Sequence, residues 1–168
     1  ARPAMSSLNP DKALIFRITH IANVPWILDH GLHCRNSSER DPDFREIGNA
    51  ELIAKRASRD VPLAPGGSLS DYIPFYFTPH SPMLYNITTG HAGMQKAETA
   101  DIVFLVSSLR AVEKLGVKFL ISDRHAYLRT ASFSNSLADL PDLIEWPLIR
   151  SRNFRRNPEK PELFERYQ

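Results

Sequence analysis

A chain of 168 residues, 42% hydrophobic and 24% charged, has the bulk for one domain with a real core, and its net charge of +2 says little about partners. No apolar run approaches the roughly 18–20 residues that span a bilayer, which excludes a helical membrane protein. A single cysteine, Cys34, excludes an internal disulfide framework and a cysteine-based zinc site, and it fits a reducing cytoplasm.

The N-terminal ARPAM lacks the apolar stretch of a signal peptide and reads as a cloning remnant before a start at Met5, leaving 6–168 as one domain. ALIFRITH (Ala13 to His20) predicts a strand with Leu14, Phe16 and Ile18 on one face. Asn23 is a candidate cap for a short helix, VPWILDH, closed by Gly31. An extended LHCRN and a polar loop, Ser37 to Glu46, follow. NAELIAKRA predicts a helix capped by Asn49, and VPLAPGGSL a loop, since two prolines and a glycine pair continue neither regular element.

In DYIPFYFTPHSPMLYNITTG four aromatics (Tyr72, Phe75, Tyr76, Phe77) crowd into six residues. This predicts a strand, with Pro74 marking an edge or a bulge. Ser81-Pro82 then starts a helix, hydroxyl at the cap and proline in the first turn, ending near Gly90. DIVFLVSS (Asp101 to Ser108) predicts a buried strand, Ser108 caps LRAVEKL, Gly116 ends it, and VKFLISD (Val117 to Asp123) predicts another strand. The segment from His125 to Trp146 reads as a long loop with helical turns, and PELFERYQ as a last helix. Short strands and short helices without regular βαβ alternation point to an α+β fold.

The six histidines show no H-x-x-x-H or H-E-x-x-H spacing, which argues against zinc. No P-loop, G-x-S-x-G elbow or G-x-G-x-x-G occurs, and Cys34 beside an apolar strand reads as packing. Six arginines against three acidic residues between Arg124 and Arg156 are a local basic excess suited to phosphate. Arg17, His20, Arg56 and the Asp123-Arg124-His125 run sit at element ends around the aromatic strand. Guanidinium groups clamp phosphates, and aromatic faces sandwich flat rings, so the set suits an anionic ligand carrying flat rings.

LNPDKALIFRITHIANVPWILDHGLHC, GNAELIAKRA, PGGSLSDYIPFYFTPHSPMLYNITTG and ISDRHAYL together resemble DarT, the toxin of the DarTG toxin–antitoxin systems, from about Ser7 to Gln168. The resemblance implies an ADP-ribosyltransferase fold related to the poly-ADP-ribose polymerases. It implies an NAD-dependent enzyme that attaches ADP-ribose to a base in single-stranded DNA, and a macrodomain antitoxin (DarG-like) that reverses the modification. Arg17, Thr19 and His20 are then expected to border the nicotinamide ribose, with Asn23, Gly31 and Leu32 adding contacts. Tyr76 is expected to wall the nicotinamide pocket, Met83 to pack beside it, Arg56 to reach the cofactor phosphates, and His125 to meet the target base. The basic stretch is the expected DNA-reading loop, through Arg124, Arg152, Arg155 and Arg156, with Tyr127, Phe133 and Phe154 available for stacking.

In this family RYQ is followed by Ala-Glu, and that glutamate is catalytic; here it falls beyond Gln168. Glu145, Glu159, Glu162 and Glu165 do not match its context. The 168 residues alone are therefore expected to be inactive, with an incomplete sheet. Two other readings stay open: a non-catalytic module binding single-stranded nucleic acid, and a transferase acting on RNA or protein.

Overall fold

The computed structural model describes residues 7–91, 94, 96–153, 155 and 157–166. Strand β1 (Leu14–His20) lies at the centre. It pairs antiparallel with β2 (Ile102–Ser108), in a register running from Leu14 opposite Ser108 to His20 opposite Ile102. On its other edge Phe16 exchanges two 2.8 Å hydrogen bonds with Tyr76. A second small ladder joins β3 (Ile121–Ser122) to β4 (Phe133–Ser134).

The aromatic run is therefore not the six-residue strand that its composition predicts. Pro74 has no amide to donate, and its carbonyl accepts from Arg17 Nη1 at 3.1 Å, so the ladder contracts to the single Phe16–Tyr76 bridge. β2 also departs from expectation. It is half-exposed, with Val106 at 56%, and among the described residues nothing pairs with its outer edge. VKFLISD forms a strand only at Ile121–Ser122.

The helices follow their local signals closely. In α1 (Val24–His30) Asn23 occupies the cap position, but its side chain makes no capping bond; Gly31 closes the helix with φ of 84°. Helix α2 (Ala50–Ala57) starts where Asn49 accepts from the amides of Glu51 and Leu52, and it carries Lys55 and Arg56 in its last turn. Asn49→Ala is expected to cost about 1 kcal/mol, read as a lower denaturation midpoint at unchanged slope. In α3 (Pro82–Thr89) Ser81 accepts from the Leu84 amide, and Gly90 ends the helix in the left-handed region. Ser108 caps α4 (Leu109–Lys114) in the same way. Three short helices follow, α5 (Leu140–Leu143), α6 (Trp146–Ser151) and α7 (Glu162–Arg166).

The core gathers Ile15 and Phe16 of β1, Leu109 of α4, Ile121 of β3 and Leu140, Ile144, Trp146 and Ile149 from the C-terminal helices. Phe75 and Phe77 pack against it, so the aromatic run is anchored on the core side and free to present Tyr76 on the other. No helix among the described residues is long and apolar enough to cross a membrane.

Candidate active site

Five elements converge on one cleft. β1 supplies Arg17 and Thr19, α2 supplies Arg56, the run after Pro74 supplies Tyr76, α3 supplies Met83, and the turn after β3 supplies His125. They line a cavity of about 170 Å³. Arg56, Pro74, Tyr76 and His125 also form one wall of a larger neighbouring cavity of about 540 Å³, whose other lining residues include Leu32, Arg124 and Phe133.

Arg17, between the buried Phe16 and Ile18, reaches over the sheet edge to the Pro74 carbonyl. Arg56 is held by carbonyls too, donating from Nη2 to Leu69 at 2.8 Å and to Tyr72 at 3.4 Å. Neither arginine meets a carboxylate within ion-pair distance among the described residues. Burial lowers the pKa of both; Glu46 opposes the shift at Arg17, and Tyr76 opposes it at Arg56. A guanidinium stays charged through such a shift, so the cleft holds two positive charges whose natural complement is an anion. Arg17 Nε is buried without a hydrogen-bond partner, and such an orphaned donor costs about 1–3 kcal/mol until a ligand meets it.

Tyr76 is buried deeply enough to raise its pKa, against the pull of Arg56 and Arg17. It keeps its proton and donates it to Met83 Sδ at 3.4 Å. That contact locks the ring as a flat wall and explains why Met83 is beside it. Asn86, three residues after Met83 on α3, lines the same cleft, a helical spacing legible in the sequence.

His125 is half-buried, its Nδ1 covered and without a partner, and its ring meets Tyr127 edge-on with centroids 4.5 Å apart. Burial, then the charge of Arg56, lowers its pKa to about 4. The unfolded chain, with an ordinary histidine pKa of about 6.5, binds a proton that the folded protein refuses between the two values. Stability should therefore fall as pH drops from about 6.5 to about 4. Proton NMR should place the His125 midpoint near 4. Arg56→Met, which removes the second cause, should raise that midpoint; an ordinary midpoint in the unmutated protein would show that the ring is not covered as described.

Other expected residues fall elsewhere. His20 is buried behind Thr19, its Nδ1 accepting from the Ala22 amide. Neither it nor Asn23 nor Gly31 lines either cavity. Arg124 is not offered to phosphate as expected: it is tied to Asp123 at 3.1 Å and to Glu165 at 3.0 Å. Tyr127 lines neither cavity and has Lys55 Nζ 5.6 Å from its ring centroid. Arg152 and Arg155 are exposed, whereas Phe154 and Arg156 lie outside the described residues. Sequence reasoning missed the segment Phe44 to Asn49, which walls the smaller cavity. Its mixed polar composition carries no periodic signal.

The carboxylates that line the two cavities all have partners. Glu46 is bound by Arg35 and Arg40, Asp71 by Asn36 and Ser68, and Asp123 by Arg124. Glu145 pairs with Arg166. Among the described residues, no group of three His, Cys, Asp or Glu side chains is placed to hold a metal ion.

Residues 16–168 match the family model for DarT, ssDNA thymidine ADP-ribosyltransferase. A DNA ADP-ribosyl transferase of Escherichia coli O127:H6 is 52% identical over 163 residues, 97% of this chain and 74% of that protein. Thermus sp. 2.9 DarT in complex with ADP-ribosylated ssDNA superimposes with a TM-score of 0.85 at 40% identity, over 95% of this chain and 74% of that one. The same Thermus protein in complex with NAD+ superimposes with a TM-score of 0.78 at 38% identity, with the same coverage. On sequence and fold together, the chain belongs to the DarT family of ADP-ribosyltransferases.

Proposed function

We propose that this chain builds the NAD-binding and base-reading cleft of an enzyme that transfers ADP-ribose from NAD to thymidine in single-stranded DNA. One observation carries the reading. Two half-buried arginines, without carboxylate partners among the described residues, flank a locked aromatic wall in a cleft whose fold matches relatives holding NAD+ and ADP-ribosylated ssDNA. Arg17 and Arg56 suit the pyrophosphate, and Tyr76 suits a flat ring. Neutral His125, with an unpartnered nitrogen, suits the edge of a base. A base must be unpaired to enter such a cleft, which selects single strands.

The reaction breaks the nicotinamide–ribose bond, its electron pair leaving with nicotinamide, and joins the ribose carbon to a base nitrogen that gives up its proton. That transition state calls for a carboxylate beneath the sugar and an acceptor for the proton. Since the carboxylates lining these cavities are already paired, we assign that role to a residue outside those described. The exposed Arg152 and Arg155 belong to the DNA-reading surface in this proposal, and a macrodomain partner that removes the ADP-ribose completes it.

The test is mass spectrometry of oligonucleotides incubated with NAD and the full-length protein. A thymidine-containing strand should gain one ADP-ribose, while the same strand without thymidine, its duplex, RNA and bystander protein should not. Modification of RNA or protein alone would overturn the assignment. Calorimetry should show Arg56→Ala weakening NAD binding by about 1.5–3 kcal/mol, the range for a hydrogen bond to a charged group; equal affinity would remove Arg56 from the cofactor site.

A further inference from the structure

Asn23 stands at the start of α1 yet caps nothing, and its side chain is 1% exposed. The amide is spent elsewhere. Its Oδ1 accepts from the Arg45 amide at 2.8 Å, and its Nδ2 donates to the Arg45 carbonyl at 2.9 Å. The remaining Nδ2 hydrogen goes to Thr19 Oγ1 at 3.0 Å. A side-chain amide that exchanges both bonds with one backbone residue copies a rung of an antiparallel ladder. Segment Phe44 to Asn49 belongs to no strand, and it forms a wall of the smaller cavity. It is thus fastened to the end of β1 from two sides: through the buried Asn23 side chain, which Thr19 orients, and through Arg45 Nη1, which lies 3.2 Å from His20 Nε2.

We propose that Asn23 is a positioning residue that sets the width of the dinucleotide cleft by clamping Arg45, and so controls affinity for NAD without touching it. This rests on the function proposed above. Asn23 is buried, lines neither cavity and has its amide engaged by Thr19 and Arg45, so it is not placed to meet a ligand. Releasing the clamp loosens the wall around Arg45 and Glu46, while Arg56, Tyr76 and His125 stay on their own elements.

The experiment uses the full-length protein with single-stranded oligonucleotide and NAD. Asn23→Ala should raise KM for NAD by tenfold or more, up to about 10²-fold as expected for a displaced substrate-positioning group, with kcat changed less than KM. Loss of kcat at unchanged KM would place Asn23 at the reacting atoms and overturn the proposal. Amide hydrogen exchange gives a second readout that needs neither folding of the variant nor activity. In the unmutated protein the Arg45 amide should exchange as slowly as the paired amides of β1, and rapid exchange there overturns the clamp. Absence of transferase activity alongside a protected Arg45 amide would overturn the proposed function and leave the clamp standing.

Discussion

Trp146→Ala is expected to lower the unfolding free energy of the full-length protein by about 3–5 kcal/mol, the range for deleting a buried tryptophan. The side chain is 4% exposed and sits in the core between β3 and the C-terminal helices. It makes two specific contacts that a smaller residue cannot replace. Its Nε1 donates to the Leu140 carbonyl at 3.1 Å, joining α6 to α5. Its ring meets Phe77 edge-on at 5.5 Å, which fastens the end of the aromatic run. The loss should therefore reach the cleft, because Tyr76 is one residue away. Trp146→Phe separates the two causes. It keeps most of the ring and loses the donor, so a cost of about 1 kcal/mol is expected from the hydrogen bond together with a modest packing loss. Urea denaturation followed by circular dichroism would measure both. Equal destabilisation by the two substitutions would mean that the indole hydrogen bond, rather than ring volume, dominates.

Asp123→Ala is expected to cost a similar amount, about 3–5 kcal/mol, the range for removing one partner of a buried ion pair. Asp123 is 5% exposed. Its Oδ1 accepts from the Ser132 amide at 2.8 Å, and its Oδ2 lies 3.1 Å from Arg124 Nη2. The pair raises the Arg124 pKa, chiefly through the hydrogen bond to Asp123. Taking the carboxylate away leaves that guanidinium, itself 10% exposed, with Glu165 as its remaining partner. The effect on function should exceed the effect on stability. Asp123 closes the loop from 123 to 132 on which His125 and Tyr127 sit, so the His125 side of the cleft loses its shape. Asp123→Asn keeps the acceptor for Ser132 and drops the charge, and it should fall between the two proteins. If Asp123→Ala melts like the unmutated protein, the network contributes specificity of loop shape and not stability.

Much of this architecture is written in short stretches of sequence. Asn49, Ser81 and Ser108 cap helices because a side-chain oxygen within three residues of its amide needs no help from the rest of the fold. Gly31 and Gly90 end helices because positive φ suits glycine at any site. The strand in ALIFRITH was legible too, but its burial does not alternate as its pattern predicts, since Ile15, Thr19 and His20 are buried along with Phe16 and Ile18. The family resemblance then carried Arg56, Tyr76, Met83 and His125 to one place, and the structure brings these four together.

What remained hidden depended on partners distant in the chain. Tyr72 to Phe77 has the composition of a strand, but pairing requires donors, and Pro74 withholds one while Arg17 occupies its carbonyl. β2 is apolar from Ile102 to Val106 yet half-exposed, because burial is decided by what lies across the sheet. Arg124 looked like a phosphate contact until Asp123 and Glu165, one residue and 41 residues away, closed on it. Asn23 illustrates the division best: its position before VPWILDH made it a cap by every local rule. Only the fold carried Arg45, 22 residues on, close enough to claim the same amide, and two bonds from the buried Asn23 side chain outweigh one at a helix end. Local hydrogen bonding is decided by sequence, whereas competition between local and distant partners is settled only when the chain has closed on itself.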